Sequence, residues 1–298
     1  MTSLANISVN IRGAIIMAAS MLAFVLNDGM MKFLFTDMTI YQAVYLRGIL
    51  TIPIIALIAV YRRQLLVRIS WRDSKIVMMR VTGEVGATVF FLTALANMPL
   101  ANVTAILQAL PLAVTMAAAL FLGEAVGWRR WTAILVGFIG VMVIVRPGMD
   151  GFSVYSLYAL AAVACVTLRD VATRKLSPSV PSLLVALITA IAITLLGLVM
   201  LPTIKWAPVN DAQWLVLAVA ASAIVFGYLF SVMAMRAGDI SFVAPFRYTA
   251  MVWAIIMGVL LFGDWPDMMT LTGTGIVVAT GMYSFHRENI RRRAGEAG

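Results

Sequence analysis

Charge is what this chain has least of. Of its 298 residues only 12% are Asp, Glu, Lys or Arg, about half the share of an ordinary soluble domain, so a water-facing surface cannot wrap the whole molecule. There is one histidine, His286, and one cysteine, Cys165. A single thiol excludes an internal disulfide, and a single histidine excludes an H-E-x-x-H metal centre. An intramembrane enzyme is left without its usual groups, and no cofactor and no metal are expected. Ser/Gly linkers, low-complexity tracts and any stretch polar enough for a second, soluble domain are also missing.

In their place stands hydrocarbon: the chain is 62% hydrophobic, with a mean hydropathy of +0.99. A helix needs roughly 17 to 25 apolar residues to cross about 30 Å of membrane interior. Runs of that kind recur at 12–35, 40–60, 76–96, 102–122, 131–146, 154–176, 182–201, 213–235, 240–262 and 268–285. The expected fold is therefore an all-α integral membrane protein with ten transmembrane helices. Arg12 and the small residues Ala18, Ala19 and Ser20 give the first run some features of a cleavable signal. It is kept as a helix because it has a counterpart later in the chain.

Basic residues set the orientation. Arg62, Arg63, Arg68, Arg72 and Lys75, then Arg129 and Arg130, then Arg174 and Lys175, then Arg287, Arg291, Arg292 and Arg293 all fall on one side. The other side has only Arg146 and Lys205 beside Asp37, Asp150, Asp211, Asp264 and Asp267. Short basic loops stay inside, so both termini are expected to be cytoplasmic and the protein to sit in the cytoplasmic (inner) membrane. The net charge of +9 is explained by that rim, and no nucleic-acid partner is needed. Membrane lipid is the partner expected for the tail RENIRRR, read as a headgroup anchor. Trp71, Trp128, Trp131, Trp206, Trp214 and Trp265 lie at helix ends, as an interfacial belt requires; Trp253 lies mid-helix. Cys165 is read as a small apolar filler.

The chain also resembles itself. At an offset of 142, LNDGMMKFL meets LRDVATRKL, matching Asp28 with Asp170 and Lys32 with Arg174. At 140, ALFLGEAVGWRRWT meets GVLLFGDWPDMMTL, matching Gly123-Glu124 with Gly263-Asp264. Two halves, 1–148 and 149–298, hold five helices each. Five is odd, so the second half is expected upside down, an inverted repeat of the kind secondary transporters use for alternating access.

With ten helices, inside termini, the five-plus-five repeat, AILQALPLAVTMAAALFLGEAVGWRRWTAILVGFIGVMVIV and APFRY at 244–248, the chain resembles the drug/metabolite transporter superfamily and its EamA-type members. The resemblance implies a small-metabolite carrier, often an amino-acid exporter, with a central cavity lined mainly by helices 3, 4, 8 and 9 and parts of 1 and 6. NDGMMK, APFRY and FGDWPD are also similar to the branch containing S-adenosylmethionine carriers. Export of neutral or aromatic amino acids is the expected activity. S-adenosylmethionine or another nucleoside-type cargo is the alternative, and a non-transporting membrane partner protein the rival of another class. A water-filled channel would want a polar stripe or charged rings, which no helix carries.

Intramembrane charges are expensive and need a partner or a wet cavity. VLNDGMMKFL at 25–34 places Asn27, Asp28 and Lys32 within the first helix. Lys32 lies four residues on, on the same helical face, and Arg47 lies at the same depth in helix 2, so Asp28 is expected to be matched near the outer mouth. Asp170, Arg174, Arg169, Glu84 and Arg247 occupy the inner level, with Glu84 expected to pair with Arg247. These pairs read either as static staples or as gates that form and break. Acids held ionised by cations make poor proton carriers, so facilitated movement is expected. Gln108 and Tyr248, each near a proline, with Trp253, Tyr228, Phe226, Phe90 and Phe91, are the expected lining of the substrate site. Gly137, Gly140, Gly273, Gly275 and Gly281 mark close helix contact, with a homodimer seam as the alternative use.

Overall fold

The computed structural model describes the backbone of residues 2–65, 67–124, 126–237 and 240–296, and their side chains except those of 2–8, 235–237, 240–241, 288–289 and 291–296. The tail arginines 291–293, expected to hold lipid headgroups, thus lie outside the described side chains. Twelve helices and two 3-10 turns make up the described chain, with no strand among the described residues. Among the described residues nine helical segments are long and apolar enough to cross a membrane. The tenth expected span, 268–285, lies within α12 (Met268–Glu296) and is diluted by Thr270, Thr272, Thr274, Thr280 and three glycines.

Two expected helices are interrupted. The fourth is split into α4 (Leu100–Leu107) and α5 (Leu110–Phe121) around Gln108, with Pro111 at the start of α5. The ninth is split into α10 (Ile240–Val243), a 3-10 turn over Ala244–Tyr248 containing Pro245, and α11 (Thr249–Phe262). Proline brings no N–H and its ring clashes with the preceding turn, which explains both breaks. Hydropathy marks the membrane portion of a helix and not its ends. Thus α1 (Thr2–Leu34) and α3 (Trp71–Asn97) start well before the expected limits. In α3 the start was written locally: Ser70 accepts from the Asp73 backbone N–H and donates to its carboxylate, a cap that frees the helix from its apolar run.

The remaining elements are α2 (Ile40–Tyr61), α6 (Trp128–Val145), α7 (Tyr155–Arg174), α8 (Ser182–Met200) and α9 (Asp211–Ala237). Packing pairs α1 with α9, α3 with α7, α2 with α8, α6 with α12, and α4 with α11. Numbered as spans, these are 1 with 8, 3 with 6, 2 with 7, 5 with 10 and 4 with 9. Exchanging each span for the one five places away returns the same set. Gly123 and Gly263, matched at the 140 offset, both stop their helices at φ +69, a conformation that costs glycine nothing.

Glycine also explains how close some pairs come. A Cβ on Gly83 would lie 2.9 Å from the Cys165 carbonyl of α7, and one on Gly273 would lie 2.6 Å from the Gly140 carbonyl of α6. Gly137 faces Leu112 and Thr280, and Gly281 faces Tyr248. Four of the five expected contact glycines are therefore used inside this chain, and only Gly275 of that set meets open space.

Candidate functional site

The intramembrane charges are gathered into two hydrogen-bonded groups. In one, Arg47 donates to the Asn27 side-chain oxygen at 2.9 Å, and Asn27 donates to Asp28 at 2.9 Å. Asn27 thus stands between the two charges, which act on each other without an ion pair. Arg47 also feels Tyr228 and Glu84. Glu84 accepts from Arg169 Nη1 through both oxygens, at 3.2 and 3.1 Å, and from the Tyr228 hydroxyl at 3.5 Å. Arg169 Nε donates to Asp170 at 2.8 Å. Asp170 in turn acts on Arg247.

Acids and arginines are thus interleaved: Asp28 reaches Arg47 through Asn27, and Arg169 is shared by Glu84 and Asp170, which answers the cost of burying each charge alone.

This differs from the expected arrangement in two respects. Glu84 meets Arg169 and not Arg247, because Gly83 lets α3 approach the α7 backbone where Arg169 projects. Lys32 does not pair with Asp28: its ammonium donates to the Leu95 and Met98 carbonyls at 3.0 and 2.6 Å and sits 5.4 Å from the Phe262 ring centre. It thereby ties α1 to the C-terminal ends of α3 and α11, capping carbonyls a helix end leaves open. Arg174, its match in the second half, pairs with Glu124 at 2.8 Å in an exposed contact.

The local geometry nonetheless repeats at the 142 offset. Asn27 donates to Asp28 in α1 as Arg169 does to Asp170 in α7, each to the next residue. Polar fastenings repeat too. After α1, Asp37 accepts from Gln213 of α9 at 2.9 Å; after α7, Ser177 donates to Asp73 of α3 at 3.0 Å through its hydroxyl and 3.1 Å through its N–H.

The expected lining residues divide. Gln108 donates to the Tyr248 carbonyl at 3.2 Å, so the two helix breaks meet each other. The Tyr248 ring is 6% exposed and its hydroxyl is packed toward Gly281 without a partner. Trp253 donates to the Ala18 carbonyl of α1 at 3.1 Å. Tyr228 lies edge-on to Phe24 and reaches Glu84. Phe90 is edge-on to Tyr158, and Phe91 packs into the apolar core. Phe226 points away from the bundle centre. It is 52% exposed and lines an apolar surface groove between α1 and α9 with Leu22, Ala23 and Phe230. It sits two positions from Tyr228, about 200° round the helix, so one of the two had to face outward.

Asn27 and Arg80 are the residues sequence reasoning left out of the site. Arg80 donates to Thr173 of α7 and Thr189 of α8. Its signal was an arginine well inside a helical run; Asn27's was its place beside Asp28.

A bundle of long apolar helices that carries interleaved acids and arginines, with its two interrupted helices in contact, has the build of a polytopic membrane carrier. The EamA-like transporter family matches residues 11–146 and again 154–283, and the chain belongs to that family. It is a multi-pass protein of the inner membrane.

Named relatives are metabolite transporters. The S-adenosylmethionine uptake transporter of Rickettsia conorii is 27% identical over 196 residues, 64% of each chain, so the match spans just under two thirds of that relative. The riboflavin transporter of Vibrio cholerae is 30% identical over 175 residues, 58% of each. The pseudopaline exporter of Pseudomonas aeruginosa is 26% identical over 204 residues, 67% of this chain and 72% of that one. A crystal structure of another protein superposes with a TM-score of 0.63 at 17% identity, over 94% of this chain and 98% of that one; the fold is shared.

Proposed function

We propose that this chain is a secondary carrier that moves amino-acid-type metabolites across the inner membrane by alternating access between two inverted halves, 1–148 and 149–298, with both termini cytoplasmic. The observation that carries the reading is the interleaving of acids and arginines inside the bundle, which offers both signs to a cargo. Inversion is supported by the packing set that returns to itself on exchange of halves and by the two family segments that flank the 147–153 loop. Lys32 on α3 and α11 at one end, and Asp73 with Ser177 at the other, are the contacts we read as the two gates.

Export of neutral or aromatic amino acids is the cargo and direction we put first. S-adenosylmethionine, itself an amino acid bearing a sulfonium, is the second reading, favoured by the Rickettsia relative. Glu84 and Asp170 are both held by Arg169, and on this reading movement follows the cargo's own gradient.

The test is transport in liposomes containing the purified chain, with labelled neutral and aromatic amino acids and S-adenosylmethionine loaded inside or supplied outside. Saturable movement of at least one member, insensitive to proton ionophores, is expected. Failure of every member to move in either direction, with the protein folded, overturns the amino-acid cargo. Reporter fusions at both ends test orientation: cytoplasmic reporting from both is expected, and opposite sides would sink the inverted arrangement.

A further inference from the structure

Glu84 and Asp170 each reach a guanidinium, that of Arg169. Asp28 reaches none. Among the described residues its hydrogen bond comes from the Asn27 amide at 2.9 Å, to one carboxylate oxygen, and the other oxygen meets no described donor. The cations near it in the chain and in depth are engaged elsewhere: Arg47 donates to the Asn27 oxygen at 2.9 Å, and Lys32 donates to the Leu95 and Met98 carbonyls at 3.0 and 2.6 Å. Asp28 precedes Leu34, where α1 ends, by six residues, which is about 9 Å of helix. A carboxylate at that depth is too costly to leave without a counter-charge.

The register of α1 shows which way Asp28 faces. Successive residues of a helix turn by about 100°, so Asp28 lies within about 20° of Met17 and Met21, both buried. Those two pack with Val243, Phe246 and Trp253 of the broken ninth segment. The exposed residues Ile15, Leu22 and Phe33 lie about 120–140° away, and the side of α1 that lines the surface groove, Ala19 to Leu26, lies about 120–180° away. Asp28 is nonetheless only half-buried. On the inward face of the helix, that remaining exposure is to space within the bundle and not to lipid.

A cation that arrives with the cargo answers both the missing counter-charge and the open oxygen. We infer that Asp28 is the acceptor for the α-ammonium of the cargo, and so the residue that separates amino acids from the corresponding carboxylic acids. The inference rests on the carrier reading given above. Asn27 acts as a positioning residue: its amide orients one oxygen of Asp28, while its own oxygen holds Arg47 at one remove. The acid is thereby fixed in place without being neutralised.

The experiment is calorimetric binding to the full purified chain, comparing each amino acid with the acid that lacks its ammonium: L-phenylalanine with 3-phenylpropanoate, and L-methionine with 4-(methylthio)butanoate. On the unsubstituted chain the amino acid is expected to bind roughly 10- to 100-fold tighter, the range for hydrogen bonds to a charged group. Asp28→Asn is expected to bring that ratio close to one by weakening the amino acid alone, the unchanged binding of the deaminated acid reporting an intact fold. Asp28→Glu, which restores the charge, should keep part of the ratio. A ratio near one on the unsubstituted chain, as a carboxyl neutralised by a proton would give, overturns the subsite and leaves the carrier reading standing. So does an Asp28→Asn chain that retains the ratio or weakens both members equally. No binding of either amino acid to the unsubstituted chain overturns the neutral and aromatic cargo and the subsite with it.

Discussion

Glu84 is the best-held charge in the bundle: its side chain is 10% exposed, and it is gripped by Arg169 through both oxygens and approached by Tyr228. Glu84→Gln keeps the shape and one acceptor but leaves Arg169 with Asp170 alone. Thermal unfolding in detergent should record a loss of about 1.5–3 kcal/mol, the range for hydrogen bonds to a charged group. No change would mean that Arg169 had been satisfied elsewhere. At this scale the sequence was only partly legible. An acid in a greasy helix announces that it needs a partner, and Asp28, Glu84 and Asp170 were identifiable for that reason. Which cation answers was not written there, because Arg169 and Arg247 lie at similar depth and only the azimuth of each helix separates them. The ring of Phe226 faces the surface for the same reason, since its rotation about α9 is set by the neighbours of Tyr228.

Between elements, distance is controlled by glycine. Gly83 admits the α7 backbone beside Glu84, so Gly83→Ala should push α3 from α7, because the clash would be with the Cys165 carbonyl and the Arg169 N–H and not with a yielding side chain. A cost of about 1–3 kcal/mol is expected from such overpacking. Gly273→Ala should act in the same way between α12 and α6, while Gly275→Ala, with open space around it, should be nearly silent. Thermal unfolding of the three variants checks the order; equal effects at Gly273 and Gly275 would contradict the packing described here. The helix breaks belong to this scale as well. Pro111 and Pro245 marked them in the sequence, but the contact of Gln108 with the Tyr248 carbonyl needed the two interrupted segments to cross.

At the scale of the whole molecule, the gate reading proposed above makes the contacts at the two ends decide which mouth is closed. Lys32 holds the end where α1, α3 and α11 meet, and Lys32→Gln should loosen it. In a Cys165→Ala background, alkylation of Leu100→Cys, buried in that region, is expected to speed up by about tenfold for each 1.4 kcal/mol lost from the closed state. An unchanged rate would make Lys32 a plain helix cap. Outside the membrane, Arg146 at the end of α6 binds Asp267 just before α12. That hydrogen bond, with a smaller contribution from the Thr270 N–H, lowers the Asp267 carboxyl from 3.8 to about 2. A folded-state value below the unfolded one stabilises at all pH above about 3.8 and is lost as pH falls toward about 2. Asp267 is half exposed, so the effect is small after screening. Asp267→Asn should flatten the decline of thermal stability over that interval; an unchanged slope would assign the decline to other groups.

The solvent, the number of apolar runs and the kinship of the two halves were determined by the sequence alone, because burial in hydrocarbon constrains every residue of a span and leaves a dense local record. The start of α3 was missed, because the apolar run placed it at 76 while the cap at Ser70 sets it at Trp71. Partner choice was decided only by tertiary structure: Glu84 with Arg169, Lys32 with helix-end carbonyls, Asn27 between Asp28 and Arg47. Each depends on how a helix is rotated and how near its neighbour stands, quantities set by glycine contacts and interrupted turns far apart in the chain, and no local pattern records them.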